Sequence, residues 1–223
     1  MRTPAIVVNF KVYPEMDGDG SLNLARICEE VAHETGVNIV VCPPMVELSR
    51  IAREISIPVF SQHVDVWKGG ACTGRASITG IKAAGAKGTL INHSERRLLL
   101  ADMEELIRGS RIEGLDTIVC TNNVEVSRAA AAMGPNFVAM EPPELIGGDI
   151  SVTTADPGIV RRTVDAVDAI DPGVKVLTGA GVKTRDDVEM AIKLGTHGVL
   201  LASGVVKAKD PRKVLLSLAR GLI

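Results

Sequence analysis

Aromatic side chains are nearly missing from this chain. Of 223 residues only three are Phe, one is Tyr and one is Trp, so the stacking platforms that single-stranded nucleic acids require are absent. A surplus of one charge is missing as well. The 25 Lys and Arg against 27 Asp and Glu leave a net charge of -2, evenly spread, with no basic stripe for a phosphate backbone, and nucleic acid is discounted as a partner. No apolar run approaches the roughly 18 residues of a membrane span. The short run after Met1, Arg2, Thr3 and Pro4 also lacks the length and cleavage site of a signal peptide, so no membrane association is expected. Four cysteines, Cys28, Cys42, Cys72 and Cys120, show neither metal-ligand spacing nor the density of a disulfide scaffold. They read as reduced thiols of a cytoplasmic protein, with no metal site.

What is present is enough apolar residue, 46% against 23% charged, for a sizeable core. Short runs rich in Val and Ile recur at Ala5 to Val8, Val37 to Val41, Ile57 to Phe60, Thr89 to Ile91, Thr117 to Cys120, Phe137 to Met140, Val174 to Leu177 and Gly198 to Leu201. Each reads as a strand buried on both faces. Between them lie stretches with helical spacing, such as Leu24, Ile27, Cys28 and Val31, or Val46, Leu48, Ile51, Ala52 and Ile55. Thr184 with Asp187 predicts a capping box, and Pro157 after Asp156 predicts a first helical turn. Strand and helix units in alternation demand a parallel sheet, open and doubly wound or closed into a barrel. The count near eight, an even repeat of roughly 28 residues and the lack of a linker favour a (β/α)8 barrel spanning 1–223 as one domain.

In such a barrel the segments after the strands share one mouth, where reactive groups gather. Asn9 and Lys11 follow the first strand; Asn92, His93 and Glu95 the fourth; Glu141 the sixth; Gly179 and Gly181 the seventh; Ser203 and Gly204 the eighth. Alone, Glu141 is a loop carboxylate, His93 a core histidine and Lys11 a solvated lysine. Together, an acid against an apolar strand end gains basicity by desolvation. Ser94 is placed to cap a short helix whose first N–H groups would keep His93 neutral, fit to polarise a carbonyl. Lys11, held by Glu95, would stabilise an oxyanion. The glycines after strands seven and eight leave backbone N–H groups uncovered for a phosphate. The segment from Pro142 to Gly148 pairs stiff prolines with glycines around Leu145 and Ile146, the build of a lid.

The ordered set Asn9-Phe10-Lys11, His93-Ser94-Glu95-Arg96-Arg97, Glu141-Pro142, Ile146-Gly147 and the Gly-rich seventh loop resembles the triosephosphate isomerase family along the whole chain. The resemblance implies interconversion of dihydroxyacetone phosphate and glyceraldehyde 3-phosphate through an enediolate, with no cofactor. It implies Glu141 as proton shuttle, His93 as neutral electrophile, Lys11 as cation near the developing charge, Asn9 as orienting neighbour and Glu95 as partner of Lys11. Ile146, Gly147, Gly181, Ala202 and Ser203 match positions whose backbone holds the phosphate.

There are departures. Pro143, Glu144 and Leu145 replace the valine, tryptophan and alanine of the common lid, and Thr178-Gly179-Ala180-Gly181 replaces Tyr-Gly-Gly-Ser. The chain is short, with only Asp102 to Glu113 and Val124 to Met133 as helices after strands four and five. This resembles the compact archaeal form of the family and is expected to expose Ala129, Ala130 and Ala132 to a partner subunit. The loop around Thr73 resembles the one that braces a neighbouring subunit, which implies a homodimer or homotetramer. Arg75 stands where the family often has a glutamate that pairs with an arginine such as Arg96. Another phosphate-binding barrel enzyme, or a barrel without catalysis, would share the phosphate loops but not the Lys11, His93 and Glu141 set. His33, His63 and His197 receive no role, since none is expected to sit with a suitable partner.

Overall fold

The computed structural model describes residues 1–67, 69–142 and 151–223. The strands β1 (Ala5–Asn9), β2 (Asn38–Cys42), β3 (Phe60–Ser61), β4 (Gly88–Ile91), β5 (Asp116–Thr121), β6 (Phe137–Met140), β7 (Lys175–Thr178) and β8 (Gly198–Leu201) form one eight-stranded sheet, ordered β2-β1-β8-β7-β6-β5-β4-β3. Every pairing is parallel. The ring closes between β2 and β3 through the single bridge of Val41 with Val59 and the bond from Val41 N–H to Pro58 O. The chain is a (β/α)8 barrel.

Around the strands run α1 (Asp19–Thr35), α2 (Leu48–Glu54), α3 (Ile78–Ala83), α4 (Leu100–Ile112), α5 (Val124–Ala131), α6 (Val152–Ala155), α7 (Pro157–Asp168), α8 (Arg185–Lys193), α9 (Ser203–Val206) and α10 (Pro211–Arg220). Sequence signals set their ends. Thr184 and Asp187 form the capping box of α8, and the Asp156 side chain caps α7 ahead of Pro157. One face of each long helix turns to the strands: Val160, Thr163, Val164 and Val167 in α7, Leu215, Leu218 and Ala219 in α10. Burying one such Val or Leu side chain contributes about 1.5–3 kcal/mol.

Alternation along the strands divides the core in two. Val7, Val40, Phe60, Leu90, Ile118, Phe137, Leu177 and Leu200 fill the barrel interior, while Ile6, Val8, Ile39, Val41, Val119, Val138 and Val176 pack outward with the helices. The interior column at the mouth end of each strand is thereby open to polar residues.

Several sequence expectations are corrected. The third strand, read as Ile57 to Phe60, is only Phe60–Ser61 with the bridge at Val59, because Pro58 has no N–H to give a ladder. Val46, expected in a helical face, is 88% exposed before α2 begins. Ala130, expected to face a partner, is buried against the barrel, while Ala129 and Ala132 are exposed. The helix after strand four begins at Leu100 and the one after strand five ends at Ala131, each two residues from the expected limit.

Candidate active site

At the mouth a cavity of about 50 Å³ brings together Asn9, Lys11, His93 and Glu141 on one side and Gly181, Ala202, Ser203 and Gly204 on the other. Nearly all the residues expected at the site meet here, drawn from the ends of β1, β4, β6, β7 and β8. Glu95 joins through Lys11. Ile146, Gly147 and the expected lid lie outside the described residues. A wider cavity of about 890 Å³ at the opposite end is lined by Met1, Asn38, Lys87 and Asp116, where the amino terminus pairs with Asp116, and it gathers no comparable set.

Asn9 ends β1 as an inward, buried residue whose Oδ1 accepts the Lys11 N–H at 3.0 Å. That bond fixes a tight bend in which Lys11 holds a left-handed φ of 52°. A non-glycine residue there costs about 1 kcal/mol or more and persists only where its surroundings impose it. Gln62 Nε2 supplies the brace, donating to Lys11 O at 2.9 Å and Cys42 O at 3.0 Å. Lys11 Nζ then donates to Glu95 Oε1 at 2.9 Å.

Strict alternation would turn His93 away from the mouth, since Leu90 points in and Ile91 out. Asn92 breaks the alternation with a φ of 61°. Its Nδ2 donates to Cys120 O at 3.0 Å and its Oδ1 accepts Leu98 N–H at 2.9 Å, so the left-handed bend is bonded at both ends. The helix expected to start at Ser94 does not form. A single turn takes its place, closed by Arg96 N–H donating to His93 O at 2.8 Å, and Asn92 absorbs the Leu98 N–H that a continuing helix would use. Even so, the Glu95 N–H donates to His93 Nδ1 at 3.2 Å. That assigns the lone pair to Nδ1 and the proton to Nε2, which faces Glu141 Oε1 at 3.7 Å. Burial lowers the His93 pKa to about 4, helped by the positive charges of Lys11 and Arg97 and opposed by Glu95.

Glu141 follows β6, its N–H bonded to Thr121 O at 2.7 Å, and is 4% exposed. Burial raises its carboxyl to about 7 against the opposing pull of the Cys120 thiol, Lys11 and Arg97. Oε2 is buried and has no hydrogen-bond partner among the described residues, a carboxylate oxygen left for something that enters the cavity. Gly179 makes room for it: a Cβ there would lie 2.4 Å from Glu141 Cγ.

Opposite this trio, Gly181 takes a left-handed φ of 69° and α9 begins at Ser203 with Ala202 as cap residue. The first N–H groups of a helix have no intrahelical acceptor, and together with a glycine turn they suit an anion. Tyr13 and Lys183 also line the cavity, and Lys207 Nζ sits 4.2 Å from the Tyr13 ring centroid.

The sequence reading missed Gln62, Asp65, Cys120 and Tyr13. Gln62 and Asp65 follow the true end of β3, so the same rule that found His93 and Glu141 finds them once β3 is drawn correctly. His63, expected to lack a partner, donates Nε2–H to Asp65 Oδ1 at 2.9 Å. Arg96, expected to lose its loop partner to Arg75, also bonds Asp65 Oδ1 at 3.0 Å.

Comparison with known proteins shows the family. The family model described as Triosephosphate isomerase matches residues 4–220. Curated relatives named triosephosphate isomerase include one from Methanobacterium bryantii, 51% identical over 97% of this chain and 96% of its own. One from Methanothermus fervidus is 49% identical over 96% and 97%, and one from Methanosarcina barkeri is 49% identical over 99% of both. On the family match over residues 4–220 and these identities over nearly its full length, the chain belongs to the triosephosphate isomerase family.

Proposed function

We propose that the protein interconverts dihydroxyacetone phosphate and glyceraldehyde 3-phosphate as a single-domain isomerase of glycolysis and gluconeogenesis. The observation that carries the reading is the buried Glu141 carboxylate, with Oε2 lacking a hydrogen-bond partner among the described residues and Oε1 3.7 Å from His93 Nε2. Glu141 removes a proton from the carbon beside the carbonyl and delivers it to the neighbouring carbon. The carbonyl oxygen gains negative charge as the enediolate forms. His93 Nε2–H donates to that oxygen and Lys11 adds positive charge beside it. Asn9 orients the substrate, and Glu95 holds Lys11. The reaction moves one proton from carbon to carbon through Glu141 and one from the hydroxyl to the former carbonyl oxygen past His93 Nε2, so this acid–base set balances it without a redox cofactor.

The phosphate is assigned to the backbone of Gly181, Ala202 and Ser203, with Ile146 and Gly147 from the proposed lid. The exposed loop 69–75 and the exposed Leu99 and Leu100 support self-association as a homodimer or homotetramer, with the loop around Thr73 at the interface. Sedimentation as a monomer at micromolar protein would contradict that. A cytoplasmic location accords with the absence, among the described residues, of any helix long and apolar enough to cross a membrane and with four free cysteines.

An assay of glyceraldehyde 3-phosphate conversion, coupled to reduction of the ketose product, tests the activity. Turnover is expected in the wild type and a loss of several orders of magnitude in Glu141→Gln; an inactive wild type, or an unimpaired variant, contradicts the reading.

A further inference from the structure

One carboxylate outside the cavity collects more bonds than any core role calls for. Asp65 is 9% exposed. Its Oδ1 accepts from His63 Nε2 at 2.9 Å and Arg96 Nη2 at 3.0 Å, its Oδ2 accepts from Ala76 N–H at 2.8 Å, and its own N–H donates to Ala76 O at 2.8 Å. Arg75 Nη1 approaches Oδ1 at 3.9 Å. Asp65 thus pins both sides of the exposed loop 69–75 and reaches across to the segment after β4. The Arg96 side chain is 60% exposed, so it is not drawn to Asp65 by burial of its own surface.

What Arg96 carries is the turn. Its backbone N–H closes the turn onto His93 O, and inside that turn Glu95 gives its N–H to His93 Nδ1 and its carboxylate to Lys11. Asn92 fixes the near end of the segment and Arg96 the far end. Arg75 leaves loop 69–75 without a carboxylate to serve Arg96, and Asp65 supplies it from the root of the same loop.

We propose that Asp65 is a positioning residue for the isomerisation, acting through Arg96 to hold the turn from His93 to Arg96 and tying the aim of the His93 ring to loop 69–75. This rests on the reading of His93 as the electrophile. With the Asp65 to Arg96 bond gone, the turn frays, the Glu95 N–H leaves Nδ1, and one of the influences that keep His93 neutral is lost. The charged groups facing His93 are Lys11 from the bend after β1, Glu141 from β6, and Glu95 and Arg97 from its own segment. A change at position 65 or 96 adds or removes none of these charges.

The test measures steady-state kinetics and the ring-nitrogen NMR titration of His93 in the wild type, Asp65→Asn, Arg96→Ala and the double variant. Arg96→Ala alters an exposed side chain and remains informative should Asp65→Asn fail to fold. The expected result is a fall in kcat of about tenfold with KM changed less than about twofold, a His93 pKa raised by about one unit, and a double variant no worse than the poorer single one. An unchanged His93 titration in folded variants, multiplicative effects, or activity restored by raising the protein concentration, which would mark a role in subunit assembly alone, overturns the proposal. A wild type inactive on triose phosphates sinks the functional reading instead, while the His93 titration still decides whether Asp65 controls the ring.

Discussion

Glu141 Oε1 lies 3.7 Å from His93 Nε2, beyond a hydrogen bond and close enough that one small molecule lying against the pair touches both. The same burial pushes the two groups in opposite senses from their usual charge states, raising the carboxyl to about 7 and lowering the imidazole to about 4. At neutral pH the pair therefore offers a basic carboxylate and an uncharged N–H donor, the combination that removing a proton beside a carbonyl requires.

The pH dependence follows from that pair. Glu141 must be ionised to act, so kcat/KM is expected to rise with pH through about 7, where its carboxyl releases the proton. His93, neutral down to about 4, should contribute no inflection between pH 5 and 8. A plateau reaching down to pH 5 would show that the carboxyl of the base is not raised.

Stability is expected to move the other way. Between about 4.5 and 7 the folded protein holds a proton on Glu141 that the unfolded chain has released, so this group's contribution to stability falls as pH rises through that window. His93 opposes it between about 4 and 6.5, where the unfolded chain binds the extra proton, leaving the cost of ionised Glu141 plainest above 6.5. Glu141→Gln should therefore match the wild type at pH 5 and exceed it by roughly 1–3 kcal/mol at pH 8 in urea unfolding.

Gly179 lies directly against the Glu141 side chain. An alanine Cβ there would meet Glu141 Cγ at 2.4 Å, forcing the carboxylate to shift. Gly179→Ala is expected to lower kcat by about 10–100-fold while the melting temperature moves little, because displacing a reacting group by about 1 Å is costly to rate. Unimpaired kcat would mean that the position of Glu141 in the structure is not the one it works from.

Lys11 and Glu95 differ in burial although they are partners. The Lys11 side chain is 15% exposed and that of Glu95 61%. Lys11→Met removes a cation from a shielded site and should lower kcat/KM by about 10²–10³. Glu95→Gln weakens an exposed pair of about 0–1 kcal/mol and should cost no more than about tenfold.

The reach of the sequence can be judged from these same residues. Glu141, His93 and Lys11 were legible because each follows a strand buried on both faces, and an eight-fold count brings strand ends to one mouth. Ile57 and Val59 look like strand while Pro58 between them cannot join a ladder, so the pattern places strand three too early and hides Gln62 and Asp65. The turn after His93 resembles a helix start in the sequence because Ser94 and Glu95 are good helix-start residues. Its arrest depends on Asn92 capturing the Leu98 N–H, a consequence of one left-handed residue that composition does not reveal. The bond from Arg96 to Asp65 spans 31 positions, and no local pattern announces it.

The central claim is that Glu141 carries the proton between adjacent carbons through an enediolate. Isomerisation of glyceraldehyde 3-phosphate in deuterated water, followed by NMR, tests it most directly. Deuterium should appear on the carbon that receives the proton, because the proton held on the Glu141 carboxyl exchanges with solvent while the enediolate stands, and both turnover and exchange should collapse in Glu141→Gln. A ketose product free of deuterium at that carbon, or exchange that survives in Glu141→Gln, would contradict the account.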